Sequence, residues 1–409
     1  MNTRRIVFVC RALAGEALRC ARAIQELVDV TLATVCVEDV DDVEKLIDAA
    51  KSCGDVYRIV TAQETLLLSV AKANEALGLE AMSSDLVERT LDKSKLKAVL
   101  RSAGIRTPQD RIIESAEDAR RFALDVGFPI VLKPLNGSGA LTTFRITSNE
   151  HLARVLNLIK PPAIAETHVD GQELCFDTIT IGNEPQCYSV CCYDPPIIEA
   201  VEDPSRQWRC VMPRDLDAYK PFIEQGLAAV RALRVGNAMT HMEGFIDDSQ
   251  PAGFIDATLR PAGARIGPMF GFAHDVDPYR VWARVAVDDA FDGPLERKYA
   301  VGTIFLRGPG SGSVETVEGI EQVQYELNDV IVESRWPRIG GPKSATYTGD
   351  GFITVRHAQT SVVHDALDFV EQTVRITYSS PQPAETAWSE RIDNFRELNK
   401  PAWDFEVAK

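Results

Sequence analysis

Two short runs, Thr240-His-Met-Glu-Gly-Phe-Ile246 and Gly253-Phe-Ile-Asp-Ala-Thr-Leu-Arg-Pro-Ala-Gly263, hold the side chains with the most chemistry. On a strand, side chains two apart share a face. If both runs are strands of one hairpin, Asp256, Thr258 and Arg260 point the same way, beside Glu243 on the partner. Two carboxylates on neighbouring strands form a hard-oxygen site suited to Mg²⁺ carrying nucleotide phosphates. The arginine beyond them can hold an anion against that metal, which is a layout for phosphoryl transfer to a carboxylate. Asp256 lies in an otherwise apolar run, Phe254-Ile-Asp-Ala257. A carboxylate there needs a metal or a cation to offset its burial. A structural salt bridge from Asp256 to Arg260 is the competing account. His241 shares the face of Glu243, but a lone histidine is more often a hydrogen-bonded structural residue than a base. The remaining histidines give no spacing for a Ser-His-Asp or Cys-His nucleophile.

Further upstream, Lys133 ends the apolar run Phe128-Pro-Ile-Val-Leu132, where a cation needs a partner. The loop that follows, Asn136-Gly-Ser-Gly-Ala140, could cradle phosphates through backbone N–H groups, although a short Gly/Ser loop is also an ordinary turn. The Gly-x-x-x-x-Gly-Lys-Ser/Thr spacing of a P-loop is absent. Lys93, in Leu91-Asp-Lys-Ser-Lys-Leu-Lys97, is on pattern alone a solvated lysine of an amphipathic helix. Glu166-Thr-His-Val-Asp-Gly-Gln-Glu173 offers a carboxylate for ribose hydroxyls and a strand-to-turn backbone for an adenine edge. A polar hairpin explains it equally well.

These residues must be positioned by a large, water-soluble scaffold. The chain has 409 residues, 45% hydrophobic and 25% charged, which fits two to four packed units. No apolar run approaches the roughly 20 residues of a membrane helix, and Ile6–Val9 is too short for a signal-peptide core. A cytoplasmic protein is expected. The net charge of -16 argues against nucleic acid as a partner, since phosphate backbones select basic surfaces. The nine cysteines have no framework spacing, and Cys187, Cys191 and Cys192 lack a nearby histidine, so free thiols are expected.

Residues 1–80 alternate strand and helix signals: strands at Ile6–Val9, Val30–Val37 and Val56–Val60, helices through Ala17–Leu27, Asp41–Cys53 and Gln63–Leu77. That order implies a parallel sheet covered on both faces. The turn Cys10-Arg-Ala-Leu-Ala-Gly15 is not a Gly-x-Gly-x-x-Gly turn, which disfavours a dinucleotide site. Helices follow at Asp92–Ala103, Ala116–Val126, Ala218–Leu233 and Asp277–Val287. Strands are expected at Gly127–Lys133, Thr142–Ile146, Ala163–Val169 and Glu173–Ile181. Tyr299–Tyr378 reads as strand-rich, and Trp388, Phe395 and Trp403 are spaced to dock a tail.

Taken in order, these motifs resemble the ATP-grasp superfamily of carboxylate–amine ligases, specifically over residues 85–290. The carriers are Asp92–Leu100 with Ala103-Gly-Ile-Arg-Thr-Pro108, Gly127–Pro134 with Asn136–Ala140, Glu166–Glu173, and the Glu243/Asp256/Arg260 set, with Glu243 and Asp256 thirteen positions apart. The resemblance implies that Lys93, Lys133 and the loop residues Ser138 and Gly139 contact ATP phosphates. It implies that Glu166 to Val169 form the adenine-reading hinge and that Glu173 binds ribose. It makes Glu243 and Asp256 magnesium ligands and Arg260, with Lys133, catalytic. Asp256 stands where the family has a second glutamate, and Thr258 where it has an asparagine, so Thr258 is a metal-ligand candidate with a shorter reach. The strand-rich end looks most like that of L-amino-acid ligases making dipeptides.

The implied architecture is α/β with α+β character, in four parts. A Rossmann-like domain covers residues 1–88, an ATP-grasp small lobe 89–165, a large lobe 166–290, and a β-rich subdomain and tail 291–409. The implied reaction uses ATP with Mg²⁺, or Mn²⁺ in its place, to join a small-molecule carboxylate to an amine through an acyl phosphate. A homodimer is the ordinary expectation for such ligases. The alternatives are a carboxylase or non-amine ligase on the same core, and a non-catalytic nucleotide-binding regulator.

Overall fold

The computed structural model describes residues 3–39, 41–135, 142–159, 161–247 and 250–380. The expected phosphate loop, Asn136–Ala140 with Ser138 and Gly139, and the tail aromatics Trp388, Phe395 and Trp403 lie outside them.

The N-terminal sheet has three parallel strands in the order Val30–Cys36, Arg4–Cys10, Arg58–Val60. Ile6 to Cys10 are fully buried because helices cover both faces of the central strand. On one face Phe8 packs edge-on against Trp282 of the helix Pro278–Asp288, with ring centroids 6.1 Å apart. This contact joins the N-terminal unit to the rest of the molecule.

A four-stranded antiparallel sheet follows, in the order Asp110–Ile113, Ala163–Thr167, Ile130–Pro134, Phe144–Ile146. Two helices, Ala116–Val126 and Asn149–Leu156, pack on it, each opened by a serine whose hydroxyl accepts a backbone N–H of the first turn. Phe122, Ile130, Leu132, Phe144 and Leu152 close a core that belongs to this unit alone.

The largest sheet has eight strands, in the order Gln250–Thr258, Ala238–Asp247, Gln172–Ile181, Glu184–Asp194, Trp208–Met212, Ala300–Leu306, Gly351–His357, Ile331–Arg335. The carboxyl-terminal strands thus extend the same sheet that carries the acidic hairpin. Behind the hairpin lies the helix Lys220–Leu233, which buries Phe222, Ala229, Val230 and Leu233 against Phe176 and Phe254.

The expected helices and strands are present with ends moved by a few residues. The segment from Tyr299 to Tyr378 holds five strands and also two unexpected helices, Ile320–Glu326 and Thr360–Thr373. The second buries Val363, Ala366, Leu367 and Val370, a helical stripe that its β-branched residues disguise as strand. Among the described residues, no helix is long and apolar enough to cross a membrane.

Candidate active site

The two acidic runs form the expected hairpin, with Glu243 directly opposite Asp256 and His241 opposite Thr258. A register shift between Glu243 and Gly244 leaves Ile255 without a partner in this ladder. The hairpin forms one wall of a cavity of about 240 Å³. Lys93, Lys133, Glu166, Val169 and Glu173 line that cavity together with Glu243, Asp256, Thr258 and Arg260. Every described residue singled out from the sequence is therefore in one place, although the set spans positions 93 to 260.

The charges are paired across elements. Lys93, 5% exposed at the start of the helix Lys93–Ser102, sets its Nζ 3.0 Å from Asp256 Oδ2, so it is not a solvated helix-face residue. Lys133 Nζ lies 3.0 Å from Glu166 Oε2, and Lys97 Nζ lies 2.6 Å from Glu166 Oε1. Burial alone would raise the carboxyls of Glu166 and Asp256. Lys133 and Lys97 beside Glu166, and Lys93 beside Asp256, overcome it and hold both below the ordinary range. Burial pulls the Lys97 ammonium down, with Glu166 opposing.

Arg260 is not paired with Asp256. Its Nε and Nη2 donate to Glu64 Oε2 at 3.1 and 2.7 Å, and its Nη1 donates to Pro261 O at 2.7 Å. The salt bridge offered as the rival account of Asp256 is therefore absent, because Lys93 reaches that carboxylate from the start of the helix Lys93–Ser102. His241 is not a lone histidine. Its Nδ1 is 2.8 Å from Asp177 Oδ1 and its Nε2 is 3.6 Å from Glu243 Oε1. Burial would lower the imidazole, but Asp177 outweighs it and raises the group well above its usual value. Glu173 accepts the backbone N–H of Ile197 at 2.6 Å. Burial, and then the charge of Glu243, push its carboxyl up to about 8.

The donor set fits a hard divalent cation. Glu243 and Asp256 present carboxylate oxygens on one wall with side chains 24% and 27% exposed, open to a ligand from the cavity. The Thr258 hydroxyl, in the same wall, is buried without a hydrogen-bond partner among the described residues. Such an orphaned oxygen suits a cation or its bound water. The buried lysines supply the positive charge that a polyphosphate needs in a protein of net charge -16.

Sequence reasoning missed Lys97, Glu64 and Asp177. Lys97 could have been found, since it stands four residues from Lys93 on the same helix face. Glu64 could not, because 196 positions separate it from Arg260. Cys175 and Asp177, on the strand beside the hairpin, also converge with His241 on the hairpin itself, a grouping that no sequence spacing announced. The cysteines are free thiols, as expected.

The three units and the cavity between them constitute the ATP-grasp fold. The solved L-amino acid ligase from Bacillus licheniformis superposes with a TM-score of 0.73 at 18% identity, covering 93% of this chain and 100% of that one. The N5-carboxyaminoimidazole ribonucleotide synthetase from Thermotoga maritima gives 0.67 at 16% identity, covering 92% and 100%. In sequence, the chain is 24% identical over 251 residues to the alanine–anticapsin ligase of Bacillus subtilis, a match covering 55% of this chain and 52% of that protein. It is 23% identical over 219 residues to the L-arginine-specific L-amino acid ligase of the same organism, covering 51% and 52%. The chain thus spans about half the length of the curated relatives it matches. No family model matches it.

Proposed function

We propose that this chain is an ATP-dependent carboxylate–amine ligase that forms an amide or peptide bond, with an amino acid among its substrates. The observation that carries this reading is the direct pairing of Glu243 with Asp256 in a cavity shared with Lys93, Lys133 and Arg260. Among its relatives are an alanine–anticapsin ligase and an L-arginine-specific L-amino acid ligase, which supports the substrate class.

In this reading a substrate carboxylate oxygen attacks the γ-phosphorus of ATP and ADP leaves. An amine nitrogen then attacks the acyl carbon and phosphate leaves. Glu243 and Asp256, with Thr258, would hold Mg²⁺, which neutralises charge on the phosphates when bound. Lys93, Lys133 and the loop carrying Ser138 and Gly139 hold phosphate oxygens, work that is positioning and electrostatics. The backbone from Glu166 to Val169 reads adenine, and Glu173 takes the ribose hydroxyls, in its ionised form a strong acceptor. Arg260 orients the carboxylate and stabilises the oxyanion. The parts 1–88, 89–165, 166–290 and 291–409, a cytoplasmic location and a homodimer complete the proposal.

The test is phosphate release from ATP and Mg²⁺ across pairs of amino acids and simple amines, with product masses. Release confined to particular pairs, with a product equal to their sum less water, is expected. ATP binding with no release under any pair would instead support a nucleotide-binding regulator, and a requirement for bicarbonate would indicate a carboxylase.

A further inference from the structure

Lys97 sits within the helix Lys93–Ser102 with no exposed surface. Its Nζ lies 2.6 Å from Glu166 Oε1, 3.2 Å from Ile255 O and 3.4 Å from Lys93 O. These acceptors belong to a strand of the small sheet, the metal-side strand of the hairpin, and the lysine's own helix. An amine has two N–H donors and a lone pair, whereas an ammonium has three donors. Three acceptors around one nitrogen match the three N–H donors of the ammonium.

Lys97 lies outside the cavity wall, while Lys133 is part of it. Between them Glu166, 3% exposed, divides its two oxygens, one to each lysine. One buried carboxylate thus serves two cations, and the trio keeps a net positive charge. If Lys97 were missing, both oxygens of Glu166 would turn to Lys133. A buried one-to-one ion pair is a closed unit, since each charge has no better partner in a water-poor site. Anything anionic in the cavity would then have to draw Lys133 away from it.

We propose that Lys97 is a positioning residue that occupies half of Glu166, leaving Lys133 with enough unneutralised charge to attract a polyphosphate. This rests on the nucleotide reading of the cavity. The competing role is purely mechanical: Lys97 fastens the two sheets, and its charge is incidental to binding.

Calorimetric titration of ATP with Mg²⁺ into the full chain and into K97M, E166Q and K97M/E166Q separates the two, with melting curves to establish folding. Methionine keeps the length of lysine without its charge. K97M is expected to weaken ATP binding by roughly tenfold or more. K97M/E166Q is expected to recover most of the loss, because no anion remains to close on Lys133. A mechanical fastener predicts the reverse, a double variant at least as weak as K97M, and that result would overturn the proposal, as would wild-type affinity in K97M. Should K97M fail to fold, comparing K97M/E166Q with E166Q decides. Without Glu166 there is no charge to divide, so the two should bind ATP alike, and a large further loss in the double variant would overturn it. Absence of ATP binding by the wild-type chain would instead remove the nucleotide reading itself.

Discussion

Glu173 and Glu243 lie on neighbouring strands of one sheet, Glu243 opposite Cys175 and Glu173 opposite Phe245, and the charge of Glu243 beside buried Glu173 makes a sign-definite prediction. A carboxyl near 4.3 in the unfolded chain, pushed up to about 8 on folding, binds its proton more tightly in the native state. Stability from this group is therefore present in acid and lost as pH rises through the folded value. Glu173→Gln keeps an oxygen to accept the Ile197 N–H and has no proton to lose. Its melting temperature should overtake that of the wild type progressively between about pH 5 and 8, then run parallel. A gap that does not change with pH would show that Glu173 is ionised throughout. Glu243→Ala tests the metal assignment at the same scale: loss of one preorganised electrostatic group should lower ATP-dependent turnover on the order of 10²–10³-fold. Near-wild-type turnover would refute it. At this scale the sequence was readable wherever alternation or order along the chain fixed a face, as for Glu243, Asp256, Thr258 and Arg260. It was silent on Glu64 and Asp177, whose partners are set by how whole units pack.

The hairpin that aligns Glu243 with Asp256 is held from behind by the helix Lys220–Leu233, and the closeness of that contact is set by Gly226. A Cβ there would fall 2.4 to 2.8 Å from Phe176 ring atoms. Phe176 is itself fully buried and packed edge-on to Phe222 and Phe254, so the ring has nowhere to go. Two effects oppose each other in Gly226→Ala. Helix propensity favours alanine by up to about 1 kcal/mol, while overpacking a close-packed core costs typically 1–3 kcal/mol. Because the neighbour is an immobile ring rather than the end of a flexible chain, overpacking should win, with a net loss of about 1–2 kcal/mol in urea unfolding. Phe176 pairs with Met242, the residue before Glu243, so turnover should fall as well. A variant more stable than wild type would mean that helix and sheet separate without penalty. The elements themselves were legible because their apolar spacing is clean. The shift at Ile255 and the helix Thr360–Thr373 were not, because a bulge has no signature in alternation and valines on a helix imitate a strand.

Across the whole molecule, cohesion is uneven. The four-stranded unit closes its own core, whereas the eight-stranded sheet shares its clusters with helices from both ends of the chain. Polar contacts tie the small unit to the rest of the molecule: Glu166 to Lys97, Asp110 to Arg101 and Arg145 to Glu202, whereas the helix Lys93–Ser102 itself packs Leu96 and Leu100 into the core behind the hairpin. Partly exposed ion pairs such as Arg145–Glu202 contribute little in water. A unit with a private core and a polar border is expected to open by itself, at lower free energy than the whole. In hydrogen exchange without nucleotide, the strands Asp110–Ile113, Ile130–Pro134 and Ala163–Thr167 should exchange together and faster than Gln172–Ile181 and Glu184–Asp194. A ligand that bridges Lys133 on one side and Asp256 on the other adds a contact that exists only while both units are closed. ATP with Mg²⁺ should therefore slow the entire block, including Asp110–Ile113, which does not line the cavity. Protection restricted to residues in the cavity wall would mean that the ligand binds one lobe only. A block already as slow as the central sheet would mean that the polar border is as strong as a core, and that the two lobes do not move as separate bodies.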